Sequence, residues 1–221
     1  ATLFPAQEWM TCVGRLAFPI FAFMIAEGCY YTSNVKKYML RLFLFAIISE
    51  IPFNLIMGSS VFYPFHQNVL WTFLLGVLSI QIIEKAKKKQ KKWISFLVVC
   101  LVLLMDFLLG TITMVDYNAA GILTVLLFYF FRKKTWISFA AQLVGLYYLN
   151  VVMLGNLYYP VTILGHHFEI AQQSFALLAL IPIWLYHGEQ GYHSKWFKYF
   201  CYAFYPVHFL ILFVIWQWRI R

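Results

Sequence analysis

His208 lies within FYPVHF, deep in an otherwise apolar stretch near the C-terminal end of the chain. Imidazole exchanges a proton near neutral pH, which lysine and arginine do poorly. Pro206 is expected to break the helix just before it and to free carbonyls such as that of Tyr202. An ionisable group in such a stretch is costly and is retained for chemistry or for pairing. The pattern favours acid–base chemistry at His208 over a core histidine tied to a carbonyl.

Four more ionisable residues interrupt the first apolar segments. Arg15 reads either as a clamp for an anionic or carbonyl-bearing group or as an arginine reaching the headgroup boundary. Glu27 is a candidate general base or histidine-orienting carboxylate, and pairing with Arg41 is the stronger expectation. Arg41 and Glu50 are nine residues apart, about 13 Å along a helix and on opposite faces, so each needs a partner on another element. Glu50, Pro52 and Asn54 fall in SEIPFN, a kinked segment expected to form a site wall, with a plain helix break held by Asn54 as the alternative. His66 stands in a loop rich in aromatics, where it serves as an interfacial anchor or contributes to the site. Asp106 and Asp116 lie toward one end of the chain's apolar segments and are candidates to line an entry for a cationic amine.

Several chemistries are not supported. There is no phosphate loop, no GxSxG elbow, no GxGxxG fingerprint and no cysteine–histidine motif. The sequence His166-His167-Phe168-Glu169 lacks the HExxH spacing that puts two imidazoles on one helical face, and no metal is predicted. Cys12, Cys29, Cys100 and Cys201 form no CxxC pair and imply no disulfide framework or structural zinc.

The elements that must carry these residues follow from composition. The chain has 221 residues, of which 63% are hydrophobic and only 11% charged. Mean hydropathy is +0.75. Soluble domains are about half apolar and about a quarter charged, so the solvent for this surface is lipid. Continuous apolar runs, without alternation, specify helices and not a transmembrane barrel. The expected fold is an all-α polytopic transmembrane helical bundle, a single domain over 1–221. Eight spans are predicted: Cys12–Tyr30, Tyr38–Met57, Asn68–Glu84, Trp93–Leu109, Asn118–Phe131, Trp136–Leu154, Ile170–Tyr186 and Lys198–Gln217. The fifth falls below the usual span length of about 20 residues.

Charge fixes the expected sidedness. The net charge of +9 is gathered in short clusters between spans, which points to membrane lipids as partners and not to nucleic acid. Of the 17 lysines and arginines, all but Arg15, Arg219 and Arg221 fall on one side under this span assignment. That side is predicted to be cytoplasmic. The first span would then start outside, which predicts a further helix upstream and nine spans in a full-length protein of the bacterial cytoplasmic membrane.

GRLAFPIFAFMIAEG at 14–28, Thr32, YMLRLFLFAIISEIPFN at 38–54 and YPVH at 205–208 resemble the TraX family of integral membrane acetyltransferases. The resemblance covers essentially the whole chain. The family's best-known member acetylates the N-terminus of F pilin. Family members also carry an Asp-His pair shortly before a segment like ATLFP, which in this numbering would precede Ala1.

The resemblance implies an acetyl-CoA-dependent enzyme acting on an extracytoplasmic or membrane-embedded acceptor, such as a peptide or pilin N-terminal amine. Arg15, Glu27 and His208 match charged positions of the family blocks and become the catalytic candidates. Lys36, Lys37 and Arg41 would face the donor's phosphates. Glu50, Asn54, His66 and Asp106 are the candidate substrate-binding residues. An O-acyltransferase acting on a cell-envelope sugar or lipid headgroup is the alternative, and a transporter a more distant one.

Overall fold

A computed structural model describes residues 8–155, 157–163, 166–189, 191 and 194–220. The chain start, expected to be external, lies outside the described residues. The long helices are α1 (Glu8–Tyr31), α2 (Val35–Gly58), α3 (Val69–Lys89) and α4 (Lys92–Ile112). There follow α5 (Asn118–Phe130) and α6 (Trp136–Leu146), the latter continued by a π-helical stretch, Tyr147–Met153. A two-stranded antiparallel hairpin, β1 (Tyr158–Ile163) and β2 (His166–Ala171), precedes a 3-10 stretch (Gln172–Ala179) and α7 (Leu180–Leu185). Helix α8 (Lys195–Ile220) ends the described chain.

The fold is a multi-helix bundle of a polytopic membrane protein, but the eight-span expectation is corrected. Six helices among the described residues are long and apolar enough to cross a membrane. The fifth and seventh predicted spans become short apolar helices, Asn118–Phe130 and Gln172–Leu185. Thirteen α-helical residues rise only about 20 Å, against a hydrocarbon core of about 30 Å. Shelter makes α5 viable. It packs against α1, α3, α4 and α6, with Ile122, Val125, Leu126 and Phe128 buried. Close approach to α4 depends on Gly110, where a Cβ would stand 2.6 Å from the backbone of Ala119.

The bundle has two chemically distinct ends. At one, Arg132 pairs with Glu27, Lys134 donates to the carbonyl oxygens of Trp184 and Tyr186, and Lys87 approaches Glu84 at 3.7 Å. At the other, Gln67 bridges to Val115, His66 bonds Asp116, and Arg15 bonds Gln172. The first is the basic end, and the short helices α5 and 172–185 run between the two.

The predicted helix break at Pro206 is also corrected. Helix α2 is continuous through Pro52, and α8 through Pro206. A proline removes one backbone hydrogen bond, and flanking apolar turns on long helices hold the helix together around it.

Candidate active site

A cavity of about 460 Å³ lies between α1, α2, α3 and α8. That volume is within the range of about 300–1,000 Å³ typical of small-molecule sites. Its walls are mostly aromatic and aliphatic, with Phe18, Phe45, Phe73 and Phe209 among them. The polar side chains that reach it are few: Arg41 and Tyr38 from α2, His208, Tyr202 and Tyr205 from α8, and Asp116 and Tyr117 from the turn before α5.

Helical spacing explains this convergence. Tyr38 and Arg41 are three residues apart, as are Tyr205 and His208, so each pair shares a face. Cys201 and His208, seven apart, also line the cavity together. The turn that brings in Asp116 and Tyr117 is tight. Tyr117 and Asn118 adopt left-handed φ values of 62° and 47°, and Tyr117 stacks on Phe18 with ring centroids 3.8 Å apart.

His208 has a defined orientation. Its Nδ1 lies 3.1 Å from the carbonyl oxygen of Phe204. A carbonyl only accepts, so Nδ1 carries the proton, and in the neutral ring Nε2 is the basic nitrogen. The ring stacks on Phe204 at 5.2 Å and touches Phe209 at 4.4 Å. This carbonyl bond holds the imidazole without occupying its second nitrogen.

Arg41 brings a cation with no carboxylate partner among the described residues. Its Nε is buried and donates to no acceptor among the described residues, and its guanidinium lies 6.0 Å from the Tyr38 ring. An unengaged buried N–H is costly and marks a place for an acceptor atom from a ligand. Lys36 and Lys37 are exposed one turn earlier on the same helix, and Lys37 shares a face with Arg41.

A polar layer closes the end of the cavity opposite the basic residues. His66 Nε2 donates to Asp116 Oδ1 at 3.3 Å, and the backbone N–H of Tyr117 donates to the same oxygen at 3.1 Å. The bond to Asp116 raises the proton affinity of His66 above its ordinary value, with burial opposing and the charges of Asp116 and Glu50 assisting. Arg15 donates to Gln172 Oε1 at 3.4 Å, and its charge acts on the Tyr117 hydroxyl. Gln172 in turn donates to the Tyr159 hydroxyl of the hairpin at 2.6 Å. Arg15 thus stands behind the cavity wall, acting on it through Tyr117.

The remaining predicted residues are dispersed. Glu50 accepts hydrogen bonds from Asn68 and from Trp71 Nε1, the latter at 2.9 Å, while its Oε1 is buried without a partner. Asn54 donates to the carbonyl of Val61 at 3.2 Å and ties down the loop after α2. Asp106 sits between α3 and α4, accepting from Ser79 Oγ at 2.7 Å, away from the cavity. The expected Glu27–Arg41 pair is corrected. Glu27 instead takes Arg132 Nε and Nη2, the second at 3.2 Å from Oε2, because it faces the opposite side of α1 from the cavity.

Sequence reasoning passed over Tyr38, Tyr117, Tyr202 and Tyr205. The signal was present for two of them, since Tyr38 and Tyr205 stand one helical turn from charged residues already singled out. Among the described residues no cluster of three histidine, cysteine or acidic side chains could hold a metal ion.

Comparison with known proteins gives two matches. The family model described as TraX protein matches residues 2–216. A probable fimbrial assembly protein, FimC of serogroup H1 from Dichelobacter nodosus, is 26% identical over 213 residues, covering 93% of this chain and 82% of that protein. No solved structure matches significantly.

Proposed function

The chain belongs to the TraX family, and from that premise we propose that it is a membrane acetyltransferase. It takes an acetyl group from acetyl-CoA and passes it to an acceptor held at the bilayer, such as the N-terminal amine of a pilin-like subunit. The single observation that carries the reading is the cavity in which His208 Nε2 and the unpaired Arg41 converge. Similarity to a protein named for fimbrial assembly fits a subunit as acceptor.

Acetyl-CoA supplies the acetyl group as an activated thioester. His208 Nε2 takes the acceptor's proton as the acceptor atom bonds to the acetyl carbon. The carbon–sulfur bond breaks, and the same nitrogen returns the proton to the departing thiolate. Arg41 holds an anionic or carbonyl oxygen of the donor through its free N–H groups. Lys36 and Lys37 attract the donor's phosphates at the basic end, which this reading assigns to the cytoplasm. The aromatic walls exclude water, which would otherwise consume the thioester. Arg15, through Tyr117, keeps the far wall of the cavity in register for the acceptor.

The test is transfer by the purified full-length protein in lipid nanodiscs, supplied with acetyl-CoA and candidate acceptors and read by mass spectrometry. Gain of one acetyl group on a peptide N-terminus is expected. Acetylation only of sugar or lipid hydroxyls would shift the acceptor class, and substrate flux without acetyl-CoA consumption would overturn the enzyme reading.

A further inference from the structure

On the other side of α1 a second pocket of about 230 Å³ opens at the basic end. Residues Gly14, Ala17, Phe18 and Phe21 face the large cavity, whereas Phe23, Glu27 and Tyr31 face this one. Helix α1 therefore separates the two. Arg132, Lys133 and Lys134 all reach the second pocket, together with Tyr186 and His187.

Hydrogen-bond accounting shows what the pocket lacks. Its carboxylate, its side-chain amide oxygen and two of its backbone carbonyls are already engaged. Both oxygens of Glu27 face Arg132, the carbonyls of Trp184 and Tyr186 receive Lys134, and Gln142 Oε1 receives Trp184 Nε1 at 2.8 Å. Its donors are not. Nothing among the described residues accepts from Arg132 Nη1, and Lys133 forms no hydrogen bond or ion pair there. Lys134 has three N–H groups and two carbonyl partners. Glu189, two residues beyond His187, does not line the pocket.

The donor set is also held in place. The Arg132 guanidinium lies 3.5 Å from the centroid of the Tyr30 ring and 5.1 Å from that of Tyr31. Glu27 cancels one of three positive charges, leaving an uncompensated excess in a confined, polar mouth. Stacking and the ion pair fix the arginine fork in advance, so an incoming anion meets little ordering cost. Exposed Trp136 and Ile137 next in sequence put the pocket at the depth of an interfacial belt.

We propose that this pocket is a phosphoryl-anion site, distinct from the large cavity, in which Arg132, Lys133 and Lys134 receive a phosphate oxygen set at headgroup depth. Two sources share that chemistry: an acidic phospholipid headgroup, or the phosphates of the nucleotide-bearing donor. The lipid arm of the test is independent of the transferase reading, so the two fail separately.

The experiment uses the whole protein in nanodiscs of phosphatidylcholine with a minority of phosphatidylglycerol. Native mass spectrometry counts phosphatidylglycerol retained after detergent exchange, and acetyl-CoA affinity is measured in parallel. Lys133→Gln removes a side chain with no structural partner and is expected to fold. Arg132→Lys keeps a cation beside Glu27 and loses the fork. Each should lower binding of the true ligand about fivefold. Lys88→Gln, an exposed lysine outside the pocket, should leave it unchanged. Loss of lipid retention alone identifies a headgroup site, and loss of acetyl-CoA affinity alone identifies the donor's phosphates. No change in either, or an equal loss with Lys88→Gln, would overturn the site.

Discussion

The two pockets flanking α1 are built on opposite rules. The large cavity is walled by aromatic rings and admits a handful of polar side chains, among them Arg41, whose Nε has no partner among the described residues, and His208, held through Nδ1. The small pocket is more polar, and Arg132, Lys133 and Lys134 all reach it. An apolar enclosure strengthens every electrostatic contact made inside it and so suits a bond-making step. A half-open, donor-rich mouth at the headgroup level suits reversible capture of an anion. The contrast is one of placement: one set of cationic side chains lies inside the bundle and another at its rim.

The largest effect that separates the two should come from removing the imidazole. His208→Ala is expected to cut acetyl transfer by about 10²–10⁴-fold while leaving thermal unfolding nearly unchanged. The matching change in the small pocket, His187→Ala, should leave turnover intact. Full acetyl-CoA-dependent turnover by a folded His208→Ala protein would remove the distinction at its root.

Next comes the arginine that lines the large cavity. Arg41→Gln removes charged donors that meet no carboxylate among the described residues, so the loss should appear in donor binding, about 10- to 100-fold in KM for acetyl-CoA. Lys133→Gln should leave that KM where it was if the small pocket holds lipid. Equal KM effects from both substitutions would merge the two pockets into one donor site.

The ion pair on the far side of α1 gives a smaller effect, read in stability. Glu27→Gln leaves Arg132 without its anion while its ring contacts persist. With 13% of the Glu27 side chain exposed, the cost should be about 2 kcal/mol in unfolding of the detergent-solubilised protein. Adding Arg132→Gln should restore part of it. A fall in turnover beyond the fraction unfolded would instead tie Glu27 to the chemistry of the large cavity.

How much of this was legible in the sequence varies by residue. Composition and charge clustering located the helical segments, because lipid leaves few backbone solutions. What the periodicity did not carry was which segments are wrapped by others. Residues 118–130 read as a span by hydropathy, yet burial of Ile122, Val125 and Phe128 against neighbouring helices makes that stretch an internal strut. The hairpin escaped notice because Pro160 interrupts its first strand and neither strand shows a clean alternation of apolar and polar residues. Arg41 and His208 were legible as costly charges in apolar helices. The partner of Glu27 was not, because Arg132 lies 105 residues away and only tertiary packing joins them.

The smallest effect concerns proton coupling at the non-basic end of the large cavity, where Asp116 both lines the wall and accepts from His66. The bond to Asp116 is the main cause of the raised proton affinity of His66, with burial opposing it. A raised folded-state pKa means that protonated His66 stabilises the fold. That contribution is fully present below pH 6.5, the ordinary value, and is lost as pH rises through the higher folded-state value. Because 41% of the His66 side chain is exposed, solvent screening keeps it to about 0.5 kcal/mol. Unfolding temperature should therefore decline slightly between about pH 6 and about pH 8, and Asp116→Asn should flatten that slope. In the same variant the His66 ring should titrate at lower pH by NMR, since the hydrogen-bonded carboxylate that favours its charged form is gone. A His66 titration unmoved by Asp116→Asn would disconnect the loop histidine from the cavity wall.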